Sequence, residues 1–206
     1  MYNYPKSIRN LIDSLKKLPS VGEKSAERMA LSILEEDKDQ VEFFAKSLLD
    51  VKNKIKKCKI CNNFSEEDIC EICSDKNRKN DVLCVVEYPK NIIMFERTES
   101  FSGKYHVLNG LISPLDGITP DDINIKSLVD RVEKEKIKEI IIAVKPSIEG
   151  ETTALYISKI FENTQVLVTK IAHGVPLGFI EVKIYVKKNI SNIKKNSFFN
   201  VLNLWL

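Results

Sequence analysis

The sequence has no long apolar segment: no hydrophobic run reaches the roughly 18 residues that a membrane-spanning helix requires. The first 19 residues carry charges throughout and lack the apolar core of a secretory signal peptide. Net charge is also low, at +3 over 206 residues, so overall charge alone does not indicate nucleic-acid binding. We therefore expect a cytoplasmic protein without a membrane partner, and any case for DNA binding depends on where the charges lie.

Cysteine is scarce and unevenly placed, and the odd total of five argues against a set of disulfides in a reducing compartment. Cys58 and Cys61 form one Cys-x-x-Cys pair, and Cys70 and Cys73 form a second pair after eight residues. Four thiolates at this spacing predict one closed, structural Zn²⁺ site per chain. So short a segment cannot bury a core, so the metal must supply its folding energy. A redox pair and metal-free reduced cysteines are the alternatives, and Cys84 is expected to be a buried apolar residue.

The remaining patterns predict an α+β protein of several parts. Apolar residues recur at helical spacing before the cysteines, with a break at 18–22 and a third helix at about 39–55. After a polar linker, buried strands alternate with helices, which is typical of a central parallel sheet. The strands are expected at 82–86, 140–144 and 166–168 and the helices at 127–136 and 152–161. The expected parts are a helical region at 1–57, a Cys₄ zinc finger at 58–73, an α/β domain at 79–174 and a C-terminal segment at 175–206.

The break between the first two helices resembles a helix-hairpin-helix motif. A tight turn at Gly22 opens a helix whose free backbone N–H groups and dipole favour a phosphate. Lys24 and Arg28 lie four residues apart, so both fall on one face of that helix and are candidate contacts to the DNA backbone. The motif usually has glycine on both sides of its apolar turn residue, whereas here Ser20 takes the first place. An ordinary helical hairpin with a solvated charged face is the alternative.

The α/β part resembles a Toprim domain, the module of topoisomerases, primases and some nucleases. In that family the first strand ends in Glu, here Glu87, and the second in an Asp-x-Asp pair that holds Mg²⁺. The two Asp positions are Lys145 and Ser147 in this chain, so the main Mg²⁺ ligands are missing. Glu149 and Glu151 remain after them. Either these acids serve a metal-dependent primase- or nuclease-like enzyme, or they face a partner protein, or they are solvated carboxylates at strand ends.

The order of these parts resembles the bacterial RecR family of recombination mediators over about residues 5–178. Besides the cysteines, the stretches that carry the resemblance lie at 18–30, 84–87, 105–110, 113–117, 149–156 and 171–178. Two of them contain the only histidines, His106 and His173, which we expect to be structural.

The resemblance implies a DNA-binding recombination mediator without catalytic activity. It implies a ring-like homotetramer that works with RecO and RecF at single-strand gaps and duplex junctions and helps to load RecA. It places Lys24 and Arg28, beside Gly22, on the face that lines the ring, and it assigns Glu149 and Glu151, with Glu87, to the contact with RecO. A zinc-ribbon interaction module that never touches DNA is a further alternative, which the basic hairpin disfavours.

The resemblance ends near Gly178. From Phe179 the last 28 residues hold five Lys, five Asn, one Glu and no Asp. This abrupt change indicates either divergence or a shifted reading frame, and composition favours the shift. Because like charges repel across a symmetric contact, we expect dimers or heterogeneous assemblies rather than a clean tetramer.

Overall fold

The structure, a computed structural model, describes residues 4–171 and the backbone of a two-residue strand, Ile184–Tyr185. The chain divides into two compact units, Met1–Ile55 and Lys56–Leu206. The predicted fold class is confirmed: N-terminal helices, a cysteine cluster and a mainly parallel α/β sheet follow one another along the chain. Within the described residues, no helix is both long and apolar enough to cross a membrane.

The first unit contains three helices, and small residues hold the first two together. Its helices are α1 (Lys6–Leu15), α2 (Glu23–Glu35) and α3 (Lys38–Lys54). Ile12 of α1 packs on Ala26 and Ala30 of α2, all three being buried. Because these alanines are four residues apart, they form one face of α2 and allow α1 to approach closely. The charged residues of α2 are left on its solvent side.

The turn between α1 and α2 differs from expectation in which residue is conformationally constrained. Ser20 adopts φ of +65°, in the left-handed region that favours glycine. Gly22, by contrast, has φ of −86° and ψ of 175°, a conformation open to any residue. A Cβ atom at Gly22 would also meet nothing within 4 Å. The turn itself therefore requires glycine character at Ser20, while neither conformation nor packing explains Gly22.

Replacing Ser20 with glycine is expected to stabilise the protein by about 0.5–1 kcal/mol, because the left-handed conformation costs a serine more than glycine loses in unfolded-state entropy. The measurement is the midpoint of urea unfolding of the full-length chain. Ser25→Gly is the matched control: Ser25 lies inside α2, where glycine is expected to cost about 0.5 kcal/mol. The same sign of effect at both positions would contradict this account of the turn.

The second unit begins with the cysteine segment. Strand β1 (Lys56–Lys57) pairs antiparallel with β2 (Phe64–Ser65), and the short helix α4 (Glu71–Ser74) follows. The four cysteines form a buried cluster of their own. Ile72 packs against both this cluster and the apolar face of the neighbouring sheet.

The sheet has five strands in the order β4-β3-β5-β6-β7, of which the first four are parallel and β7 is antiparallel. In chain order the remaining elements are β3 (Val82–Val86), α5 (Pro89–Glu96), β4 (Lys104–Val107), α6 (Ile125–Glu135), β5 (Glu139–Ala143), α7 (Ile148–Ile160), β6 (Leu167–Ile171) and β7 (Ile184–Tyr185). One face of the central strands packs on α6 and α7 through Leu83, Val85, Ile140 and Ile142. Because four of its strands are parallel, the sheet has their carboxyl ends together at one end. Glu87 and Lys145 lie at this end.

The three predicted strands and two predicted helices of this domain are present; the first strand has the predicted ends, and the ends of the others are shifted by one to four residues. Helix α7 begins at Ile148, four residues before the expected start, because the Ser147 side chain caps it and accepts a hydrogen bond from the Gly150 N–H (3.2 Å). Strand β4 and helix α5 were not predicted.

Candidate functional site

The four cysteines converge as their spacing predicts. Their sulfur atoms all lie within 4.8 Å of one another, and all four residues are buried. A tetrahedral zinc site with Zn–S bonds of about 2.3 Å needs sulfurs about 3.8 Å apart, and the Sγ atoms of Cys61 and Cys70 are 3.5 Å apart. The donor set, its burial and its dimensions fit one structural Zn²⁺ and leave no ligand position for chemistry.

The zinc segment is tied to the edge of the sheet. The backbone N–H of Val107, on β4, donates to the carbonyl of Cys61 (2.8 Å). Because β4 is the outermost strand on its side, this bond covers a group that would otherwise be unpaired. The cysteine cluster therefore supports both its own fold and the end of β4.

The Toprim-like positions meet at the carboxyl ends of β3 and β5. Glu87 directly follows β3 and is only 8% exposed. Lys145 follows β5, and its Nζ lies 3.5 Å from Oε1 of Glu87. The amino group of a lysine thus pairs with the carboxylate that the Toprim pattern would offer to Mg²⁺. This geometry agrees with the expectation that Lys145 is incompatible with a cation site.

Ser147 and the acids after it are engaged in local contacts at the start of α7. The Ser147 hydroxyl donates to Glu149 (2.6 Å), and this hydrogen bond is the main reason that the pKa of Glu149 is lowered. Glu151 pairs instead with Lys170 of β6. Gly150 between them is required by a close approach, because a Cβ there would lie 2.0 Å from the carbonyl oxygen of Lys145.

A cavity of about 440 Å³ lies at the carboxyl ends of the parallel strands. Its wall includes Glu87, Lys145 and Glu149, whereas Glu151 is not part of it. The wall also contains Asp116 and Asp122, which sequence reasoning did not single out, although Asp116 lies within a stretch that carries the family resemblance. Four carboxylates against one amine make this an acidic cavity, suited to a basic group from another molecule.

The predicted DNA-binding side chains lie at the start of α2, in the first unit. Lys24 and Arg28 are both exposed, on the side of the helix away from Ala26 and Ala30. Neither has an ion-pair partner among the described residues. Gly22 is the N-cap and carries no side-chain cap, so the first backbone N–H groups of α2 stay available to an external acceptor.

His106 is structural, as expected. It is fully buried on β4, and its Nε2 lies 2.9 Å from the carbonyl oxygen of Asn124. Burial lowers its pKa to about 4, so the ring is neutral at physiological pH. His173 and the atypical tail from Phe179 lie outside the described residues.

Comparison with known proteins links all three regions to one family. Residues 8–52 match the RecR helix-hairpin-helix, residues 55–75 the RecR Cys₄ zinc finger domain and residues 81–172 the Toprim domain. The recombination protein RecR of Clostridium perfringens is 50% identical over 175 residues, which cover 85% of this chain and 88% of that protein. RecR of Staphylococcus haemolyticus is 47% identical over 176 residues, which cover 85% and 89%.

Proposed function

The chain belongs to the RecR family of recombination proteins, and we propose that it acts as a clamp subunit on DNA at single-strand gaps and junctions. There it works in the cytoplasm with RecO and RecF to help load RecA. The observation that carries this proposal is the pair of exposed cations, without an ion-pair partner in the described part of the chain, at the uncapped start of α2. The zinc finger, a structural Cys₄ site of the family, supports the fold of the second unit.

The DNA contact proposed here is to phosphate rather than to bases. The α2 N-terminus offers backbone donors and the positive end of the helix dipole, and Lys24 and Arg28 add full charges one turn apart. Gly22 fits the same role, because its missing side chain leaves room for a phosphate to approach the backbone. Such contacts provide affinity without sequence preference, as a clamp requires.

We propose that the acidic groups of the second unit bind RecO. Glu149 and Glu87 line the acidic cavity, and Glu151 lies exposed beside it on α7. Glu87 is buried and paired with Lys145, so it is a wall residue that a partner does not reach directly. Glu149 and Glu151 are the groups that a basic partner side chain meets. Charge complementarity of this kind favours fast and specific encounter.

We propose that the chain has no catalytic activity of its own. Lys145 pairs with Glu87 at 3.5 Å, and Ser147 is occupied as the cap of α7. Two positions that would supply carboxylate ligands to Mg²⁺ thus supply an amine and a hydroxyl. This donor set disfavours a primase- or nuclease-like enzyme.

We propose that the chain self-associates through its N-terminal unit. Helix α3 has no buried residue, although it carries several large apolar side chains. Those more than 45% exposed are Phe43, Phe44, Leu48, Leu49 and Val51. Helices of a stable domain bury their large apolar side chains, so the exposure of these five supports contact with a second subunit. With the atypical tail, we expect dimers or mixed assemblies rather than a uniform tetramer.

Replacing both Glu149 and Glu151 with glutamine is expected to weaken capture of RecO by about tenfold or more, or about 1.4 kcal/mol. Glutamine keeps the size of each side chain, so circular dichroism should show an intact fold. Affinity is measured by titrating purified RecO from the same organism. Glu133→Gln with Glu162→Gln changes the net charge equally at exposed positions away from the cavity and should bind normally. Unchanged RecO binding by the folded Glu149/Glu151 variant would refute this contact without affecting the proposed DNA contact.

A further inference from the structure

Arg131 is a buried charge with an unused donor. This residue of α6 is 6% exposed, and its Nε pairs with Glu135 (3.0 Å). Its Nη1 donates to the carbonyl of Tyr105 (2.6 Å). Its Nη2 is buried and has no hydrogen-bond partner among the residues that the structure describes. A buried donor on a charged group is costly to leave unpaired, so an acceptor is expected beside it.

The backbone of β4 places this guanidinium next to the zinc segment. Tyr105 and Val107 both direct their backbone groups to the free edge of β4, since Leu108 donates towards β3. In a parallel sheet, one residue of a further strand would pair with the Tyr105 carbonyl and the Val107 N–H together. Here Arg131 takes the first group and the Cys61 carbonyl takes the second. Arg131 and Cys61 therefore lie side by side along this edge.

The lysines of the zinc segment are not placed in this way. Lys56 and Lys59 are both paired with Asp68, and Lys57 is exposed.

A zinc ion bound by four thiolates carries a net negative charge, which is costly to bury without compensation. We propose that Arg131, which lies beside Cys61 at the edge of β4, is the counter-charge of the zinc centre and that its free Nη2 donates a hydrogen bond to a zinc-bound sulfur once the metal is present. Arg131 is a positioning residue in this role. It connects the metal to β4 and α6, so that zinc retention depends on the Toprim-like domain as well as on the four ligands.

One other acceptor is near enough to compete. Nδ1 of His106 is also buried without a partner among the described residues, and the Arg131 charge acts on this ring, secondary to burial, by lowering its pKa. A bound water between His106 and Nη2 would satisfy both groups. The experiment below separates that arrangement from the thiolate contact.

The test is zinc release from the full-length protein, measured with a chromophoric chelator on Arg131→Met and Arg131→Lys. Mutation of a residue that hydrogen-bonds to a metal ligand typically lowers metal affinity by about 10–100-fold. Arg131→Met should therefore release zinc at least about tenfold faster than wild type. Arg131→Lys keeps a charge and should lie between it and wild type. In Co²⁺-substituted protein, loss of the N–H···S bond should shift the sulfur-to-metal charge-transfer band to longer wavelength. A purely structural role for Arg131 would leave that band in place.

Glu135→Gln is the matched control, because it removes the ion pair at Nε while leaving Nη2 of Arg131 and the contact of Nη1 with the Tyr105 carbonyl unchanged. It should retain zinc as wild type does. Wild-type zinc release and an unshifted cobalt band in folded Arg131→Met would overturn the proposal, and Arg131→Lys decides the matter in the same way if the Met variant does not fold. An equal loss of zinc in His106→Gln or Glu135→Gln would likewise overturn it.

Discussion

Replacing Cys58 with serine is expected to remove most of the bound zinc and to unfold the segment from β1 to α4. Purified wild-type protein should contain one zinc per chain, because four buried thiols converge within 4.8 Å. The segment has little other core: its cluster consists of the cysteines with Ile60 and Ile72 packed against them. Metal binding in such domains is the main source of folding free energy, so three thiolates retain the ion far less tightly. Elemental analysis and chelator competition measure both effects.

Cys84 offers a control within the same chain. It is buried in β3, outside the cluster, and burial alone raises the pKa of its thiol. Cys84→Ala should therefore keep one zinc per chain, whereas Cys58→Ser should not. Substantially less than one zinc in freshly purified, reduced wild-type protein would contradict the assignment, and so would full retention by the Cys58 variant.

Loss of the zinc should also be detectable beyond the cysteine segment. The Val107 N–H would lose its partner on Cys61, and Ile72 would no longer hold the cluster against the sheet. Hydrogen exchange of the Val107 amide in the Cys58→Ser protein should therefore be faster than in wild type, while the central strand β5 keeps its partners on both sides.

The elements that were predicted from sequence share a strong local signal. β3 and β5 are continuous apolar runs, as expected for strands buried on both faces. β4 was missed because Lys104–Val107 has only two apolar side chains, and His106 is buried through its contact with Asn124, far along the chain. Helix α5 could have been found, because Pro89 occupies its first turn and the Asn91 side chain accepts a hydrogen bond from the Tyr88 N–H (2.9 Å).

The same distinction applies to the functional residues. The zinc ligands follow from spacing alone, and the proximity of Glu87 and Lys145 follows from the meeting of parallel strand ends at one edge. Asp116 and Asp122 reach the cavity through irregular loops, which leave no periodic signal. Arg131 is a charged residue on an amphipathic helix, a pattern that normally indicates a solvated face. Only tertiary contacts show that it is buried.

In the N-terminal unit the helices themselves are predicted by the local sequence. The exposed groups on them are not explained by contacts within this unit. α1 and α2 bury a small core around Ile12, Ala26 and Ala30. The start of α2 is then left with open backbone donors and two cations, Lys24 and Arg28, that have no ion-pair partner among residues 4–171. These features are better explained by an anionic ligand than by the stability of the hairpin.

Replacing both Lys24 and Arg28 with alanine is therefore expected to weaken DNA binding strongly and to make it less sensitive to salt. Each lost phosphate contact lowers the slope of log affinity against log salt by about 0.9 for duplex DNA or about 0.7 for single strands. The double variant should lose roughly 1.4–1.8 units per chain, and the loss should be the same for unrelated sequences because phosphate contacts carry no base information. Lys46→Ala with Lys52→Ala, at exposed positions of α3, makes the same change in net charge and should leave the slope nearly unchanged. Equal losses in the two double variants would mean that general charge, rather than the hairpin, binds DNA, and an unchanged slope in the Lys24/Arg28 variant would refute the phosphate site at α2.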